Sequence, residues 1–391
     1  MAIKVFAVTG TNGKTTVSCM LRNILKTKGN ECGLIGTIAH QIGEDIYPSV
    51  NTTPGDGLLK EYFHQMKEKG IEYCVMEVSS HGIDQGRVDH IEIDYAGFTN
   101  LSQDHLDYHK TMEIYYQAKK KLFFLCHKGA IINLDDSYGR RLYRELKEES
   151  EDIIIKGYSL LDKTADYYGQ IKDENMRGTR IKVEPWGEFY IPIPGRHFAQ
   201  NGLLAASMAL EDSLDSSHIK TALENLPTVP GRMEFIGKEE DTLAIVDYAH
   251  TPDGLENLLR TARKYKKGRL ICIFGCGGFR DKEKRKIMGR IAGKYSDYTI
   301  ITNDNPRGEP AENIASAIEE GIYETGGDYL VVLDRYQAIK RGVFLSRKWD
   351  IIIVAGKGHE TYQLIGDKKR PFNDRQVLKE LLEKKYETTY D

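Results

Sequence analysis

Through residue 160, short continuous apolar runs alternate with longer segments whose apolar residues recur at helical spacing. The runs at 3–9, 33–37, 71–78, 95–99, 130–134 and 153–158 read as strands, with helices predicted at 15–28, 57–69 and 112–124. Strands covered on both faces carry unbroken apolar runs rather than alternation, so the pattern predicts an α/β fold with a mostly parallel sheet. Residues 162–194 differ: Tyr, Gly and Pro punctuate short alternating stretches such as RIKVEPWGEFYIPI, which predict a small antiparallel insert. A helix follows at 198–210. LPTVPG at 226–231, with two prolines and a glycine, stops the preceding helix and marks a boundary. Beyond it the alternation restarts, with strands at 242–247, 269–275, 298–302, 329–333 and 350–355. The expected organisation is a phosphate-loop domain over 1–228 followed by a Rossmann-like α/β domain over 229–391.

Composition narrows the class. Apolar residues make up 40% and charged residues 29%, a balance that supports packed cores and excludes disorder. With 55 Lys and Arg against 58 Asp and Glu, the net charge of −3 argues against a general nucleic-acid binder. No apolar run reaches the roughly 18 residues of a membrane helix, and no basic or apolar leader opens the chain. A soluble, cytoplasmic protein acting on small molecules is the expectation. The six cysteines are scattered without a Cys-x-x-Cys pair, so they read as buried apolar residues rather than a zinc site.

The strongest motif, VTGTNGKTT at 8–16, lies between the first strand and first helix. Backbone amides of a glycine loop, a helix N-terminus and a lysine converge there on phosphate oxygens. Gly10, Thr11, Asn12, Gly13, Lys14, Thr15 and Thr16 are the candidate nucleotide contacts, with the Thr15 hydroxyl placed for Mg²⁺. Glu77 ends the apolar strand YCVMEV, where a phosphate-loop protein often carries its magnesium carboxylate. Asp304, Asn305 and Arg307 follow another strand, at the end where open α/β sheets bind ligands. A guanidinium there can grip a carboxylate with two hydrogen bonds.

TGTNGKTT resembles the phosphate loop of the Mur ligase superfamily, ATP-dependent amide-bond enzymes that include folylpolyglutamate synthases. Further matches follow in order: NTTP at 51–54, MEVSSH at 76–81, NLSQDHLDYH at 100–109 and DYAHTPD at 247–253. FGCGGFRD at 274–281, DNPR at 304–307 and GKGHE at 356–360 complete the set. They point to the branch that adds the third residue of the peptidoglycan stem, in its meso-diaminopimelate-using form.

The resemblance implies residue roles. Lys14, Glu77, His105 and Lys119 would be catalytic; Thr15, Glu77, His105 and Lys119 would bind Mg²⁺, with Lys119 carbamylated by CO₂. Asn201, Arg232 and Asp247 would join the phosphate loop in binding ATP. Lys284 and Arg285 match half of a KRP motif, with Lys286 in place of the proline. Thr52, Thr53, Ser79, Gln85 and Arg87 would contact the acyl substrate, and Arg280, Asp304, Asn305, Arg307, Gly356 and Glu360 the amino acid. The implied reaction activates a carboxylate as an acyl-phosphate, which an amine then attacks. Relatives place a uridine-binding domain ahead of the phosphate loop, and this sequence starts without it, so a partner chain supplying that domain is expected. Two other readings stay open: a stand-alone ligase using a non-nucleotide carboxylate in secondary metabolism, and an ATP-bound scaffold without activity.

Overall fold

A computed structural model describes residues 2–27, 31–150, 152–237 and 241–387. The chain divides into two compact units. The first is Met1–Ser102 with His109–Pro227; the second is Thr228–Asp391 with the short segment Gln103–Tyr108.

The first unit is built on one sheet of eleven strands. In chain order these are β1 (Lys4–Thr9), β2 (Cys32–Ile35), β3 (Ala39–Ile42), β4 (Asp45–Pro48), β5 (Tyr73–Glu77) and β6 (Ile93–Phe98). They continue as β7 (Cys126–Asn133), β8 (Ile154–Ser159), β9 (Tyr167–Asn175), β10 (Gly178–Val183) and β11 (Gly187–Ile191). The spatial order is β11-β10-β9-β8-β7-β6-β1-β5-β2-β3-β4. From β9 to β2 every neighbouring pair is parallel, and an antiparallel hairpin extends each end. All of β5 and β6 is buried, as their unbroken apolar runs require.

Two features differ from expectation. The 162–194 segment is no separate insert: β9 joins β8 in parallel at Tyr158–Tyr167 and Ser159–Tyr168, so the main sheet runs through it. At the opposite edge, β3 and β4 form a hairpin where no element is predicted. β4 is mostly exposed, so burial wrote no apolar run into it. Of the helix predicted at 15–28, Lys14–Thr27 is helical and residue 28 lies outside the described residues.

The second unit holds β12 (Glu234–Gly237), β13 (Leu243–Asp247), β14 (Leu270–Phe274), β15 (Tyr298–Ile301), β16 (Tyr329–Val331) and β17 (Ile351–Ala355). Their order is β12-β13-β17-β14-β15-β16, parallel except for the β12 edge. The last parallel strand, β17, lies between the first two, and open α/β sheets bind ligands at the carboxyl ends of such strands. A small hairpin, β18 (Tyr362–Ile365) with β19 (Lys368–Pro371), follows β17.

Candidate active site

In the first unit the site grows from the turn between β1 and the helix Lys14–Thr27. Gly10 (φ 147°) and Gly13 (φ 90°) hold conformations that side chains rarely adopt. A Cβ on Gly10 would fall 1.8 Å from Thr99 Oγ1, and one on Gly13 2.5 Å from Asn201 Oδ1. Asn201, distant in sequence, therefore lies against the loop. Lys14 Nζ donates to Gly10 O at 2.8 Å and to Thr11 O at 3.0 Å. Lys119, only 1% exposed, donates to the same Gly10 carbonyl at 2.8 Å and lies 4.8 Å above the Tyr115 ring. The Lys14 ammonium beside a helix N-terminus suits a polyphosphate.

Glu77, at the end of β5, is 2% exposed. Its Oε2 accepts from the hydroxyls of Thr15 (2.9 Å) and Thr37 (2.8 Å), and its Oε1 from the Thr37 amide (2.8 Å). Among the described residues no three of His, Cys, Asp and Glu gather as a metal cage. One carboxylate with two hydroxyls still fits Mg²⁺, which is commonly held by one or two carboxylates plus phosphate oxygens. Thr37 is a residue the sequence reading missed. Its signal was the preceding Gly36, where a Cβ would come within 2.3 Å of Glu77 Oε1.

The five acyl candidates form one patch beside Glu77. Thr52 Oγ1 lies 2.9 Å from Thr37 Oγ1. Thr53 Oγ1 donates to Glu77 O (3.1 Å) and accepts from the Ser79 amide (2.9 Å). Ser79 caps the short helix Ser80–Asp84, with Oγ accepting from the Gly82 amide. Arg87 donates to Thr53 O at 2.7 Å and to Gln85 Oε1.

His105 belongs to the Gln103–Tyr108 segment of the second unit, where its Nε2 lies 3.3 Å from Asp104 Oδ2. Asp104 is buried, which would raise its carboxyl, but Lys284, His105 and His250 hold it well below the usual range. Lys284 and Arg285 both serve in buried ion pairs: Lys284 with Asp104 at 3.2 Å, Arg285 with Glu309 at 2.7 and 2.8 Å.

The second-unit nucleotide candidates flank the end of β13. The Arg232 guanidinium stacks 4.6 Å above Tyr248. Asp247 accepts the amides of Met233 and Ala249, both at 2.7 Å. Burial pushes the Asp247 carboxyl up, against the pull of Arg232 and these two amides.

The amino-acid candidates converge on the ends of β14, β15 and β17. Arg307 (φ 54°) is pinned through its amide to Leu364 O (2.9 Å), while Nη1 reaches Gly278 O (3.0 Å) and Asn305 O (3.2 Å). Burial lowers its guanidinium's affinity for a proton, and nearby Arg280 adds to that. Asn305 donates to Glu360 Oε2 at 3.0 Å. Asp304 is buried, its Oδ2 has no hydrogen-bond partner among the described residues, and a Cβ on Gly356 would fall 2.6 Å from that oxygen. Arg280 is exposed at the rim. These residues bring two guanidiniums and two carboxylates to one end of the sheet, a set for a ligand carrying both charges.

Residues 8–209 match the model of the Mur ligase middle domain, and residues 231–358 that of the Mur ligase glutamate ligase domain. The chain belongs to the Mur ligase family. It is 42% identical over 383 residues to UDP-N-acetylmuramoyl-L-alanyl-D-glutamate–2,6-diaminopimelate ligase of Caldanaerobacter subterraneus subsp. tengcongensis, covering 97% of this chain and 78% of that one. To the enzyme of the same name from Clostridium tetani it is 43% identical over 389 residues, covering 98% and 78%. A solved structure of a ligase so named superposes with a TM-score of 0.69 at 34% identity, over 99% of this chain and 79% of that one. These relatives carry the remainder of their length in the same chain, so the expected partner chain finds no support. No helix among the described residues is long and apolar enough to cross a membrane.

Proposed function

We propose that this Mur ligase joins meso-diaminopimelate to a muramoyl-dipeptide acyl substrate in an ATP-dependent, ADP-forming reaction. The names of its relatives support that substrate pair. The observation that carries the reading is the layout of the first unit, where Lys14 and Lys119 meet at the phosphate loop and Glu77 links Thr15 through Thr37 to Thr52. In this reading residues 1–228 bind ATP and the acyl group, and 229–391 bind the amino acid.

Activation brings a carboxylate against a triphosphate, so positive charge must offset the repulsion. Gly10 to Thr16 cradle the phosphates, Lys14 neutralises the transferring phosphoryl group, and Asn201 approaches the nucleotide beside Gly13. Thr15, Glu77 and a carbamylated Lys119 would hold Mg²⁺, which would supply further charge neutralisation. Thr52, Thr53, Ser79, Gln85 and Arg87 orient the acyl carboxylate for attack on the γ-phosphate. Arg307 and Arg280 bind the distal carboxylate of diaminopimelate, and Asp304, Asn305, Gly356 and Glu360 bind its ammonium end. The free amine then attacks the acyl-phosphate, and phosphate leaves as the amide forms.

ADP release measured with each substrate omitted in turn tests the reading. It should require ATP, the acyl substrate and the amine together. Amide formation from an unrelated carboxylate, with none from a muramoyl-dipeptide, would overturn the substrate assignment. Intact-protein mass in bicarbonate buffer tests the carbamate: Lys119→Ala should lose the added CO₂, and no adduct on the wild type would refute it.

A further inference from the structure

Lys357 ends in an ammonium group yet has no accessible surface (0%). Its Nζ donates to Glu360 Oε2 at 2.6 Å and to Asn305 Oδ1 at 3.1 Å, 5.8 Å from the centre of the Tyr362 ring. Asn305 is fixed again from two sides. Its Oδ1 also accepts from the Leu364 amide at 2.9 Å, and its Nδ2 donates to Glu360 Oε2 at 3.0 Å. Lys357, Asn305 and Glu360 therefore form a closed triangle, each bonded to the other two. Both donors land on Oε2 of Glu360, which leaves Oε1 as the oxygen offered to a ligand.

An ammonium buried this deeply is costly unless it is paired and hydrogen-bonded. Here it is paired with the two side chains that line the amine pocket. We infer that Lys357 is the positioning residue of that pocket, holding Glu360 and Asn305 in the arrangement that presents Glu360 Oε1 to the ammonium group of the amino-acid substrate. Lys357 itself touches no ligand, since no part of it reaches the surface. Asn305 is the shared hinge: the same residue lends its carbonyl oxygen to Arg307 Nη1 at 3.2 Å.

The inference rests on the amine-pocket reading above, and kinetics separate the two. Lys357→Met keeps the buried stem and removes the ammonium. KM for diaminopimelate should rise about tenfold to a hundredfold, the worth of a charge-assisted hydrogen bond, while KM for ATP stays unchanged. In a Glu360→Gln background the further change Lys357→Met should leave KM for diaminopimelate where Glu360→Gln alone put it, because the group being positioned is already disabled. That double variant also removes both members of the ion pair, so it serves where Lys357→Met alone does not fold. An unchanged amine KM in Lys357→Met, an equal rise in KM for ATP, or an additional rise in the double variant would overturn the inference. Amide formation by the wild type from diaminopimelate is the control. Its absence refutes the ligase reading and this inference with it, whereas any of the three results above, with the wild type active, refutes this inference alone.

Discussion

Burying a carboxylate forfeits its hydration, and at Glu77 three donors offset that loss: the Thr15 hydroxyl and both the hydroxyl and amide of Thr37. Thr37 holds the carboxylate without belonging to the phosphate loop, and in the proposed reading it would act as an outer partner of the cation site. Thr37→Val should therefore raise the Mg²⁺ concentration needed for half-maximal ADP release by about 10- to 100-fold, with ATP affinity at saturating Mg²⁺ unchanged. An unaltered Mg²⁺ titration would remove Glu77 from the cation site. Arg307 makes a second residue-scale test. Its backbone is locked between Leu364 and Gly366, so the side chain alone is lost in Arg307→Ala. KM for diaminopimelate should rise about tenfold or more, as expected for a charge-assisted contact to a carboxylate. The same variant should leave KM for ATP alone, and an unchanged amine KM would remove Arg307 from the pocket.

At the scale of elements, the loop between β1 and the helix Lys14–Thr27 was legible because glycine spacing, strand and helix all fall in one stretch of sequence. Its packing was not. The 1.8 Å approach of a Gly10 Cβ to Thr99 arises from the parallel pairing of β1 with β6, ninety residues away in the chain. Gly10→Ala should accordingly lose nucleotide binding, measured by calorimetry with ATP, while keeping a cooperative unfolding transition; wild-type ATP affinity would contradict this packing. Lys119 shows the same limit. In the run Lys119-Lys120-Lys121 the local pattern suits a solvated helix face, yet Lys119 is buried against Gly10 and Tyr115, a placement set by tertiary contacts. The β3–β4 hairpin was invisible for the opposite reason: an exposed edge strand leaves no apolar periodicity to read. Lys357 lay inside a recognised motif, but only the fold shows which side chains its ammonium reaches.

Across the molecule, stability rests on groups that no motif marks. In the second unit, Arg335 and Asp374 are both inaccessible and bonded at 2.8 and 2.7 Å, and Arg335 also donates to Asn303 O and Ala355 O. One guanidinium thereby ties the helix Asp374–Glu387 to the ends of β15 and β17, beside the residues proposed to bind the amine. Asp374→Asn, which leaves that charge uncompensated, should cost roughly 3–5 kcal/mol in denaturant unfolding. In the first unit, burial pushes the His197 imidazole down to about 4, and His40 is lowered for the same reason. The unfolded chain binds these protons near pH 6.5, before the folded one does. Their contribution is complete above pH 6.5 and is lost as pH falls, for His197 toward 4. The melting temperature should drop across that window, and His197→Gln should flatten the drop; an equal slope in both proteins would contradict the burial of His197.

The most direct measurement is coupled ADP release and product mass with ATP, Mg²⁺, UDP-muramoyl-dipeptide and meso-diaminopimelate, each withheld in turn. The account predicts one ADP per amide formed and no turnover when any component is missing. ADP release that ignores the amine, or an amide formed without ATP, would contradict it.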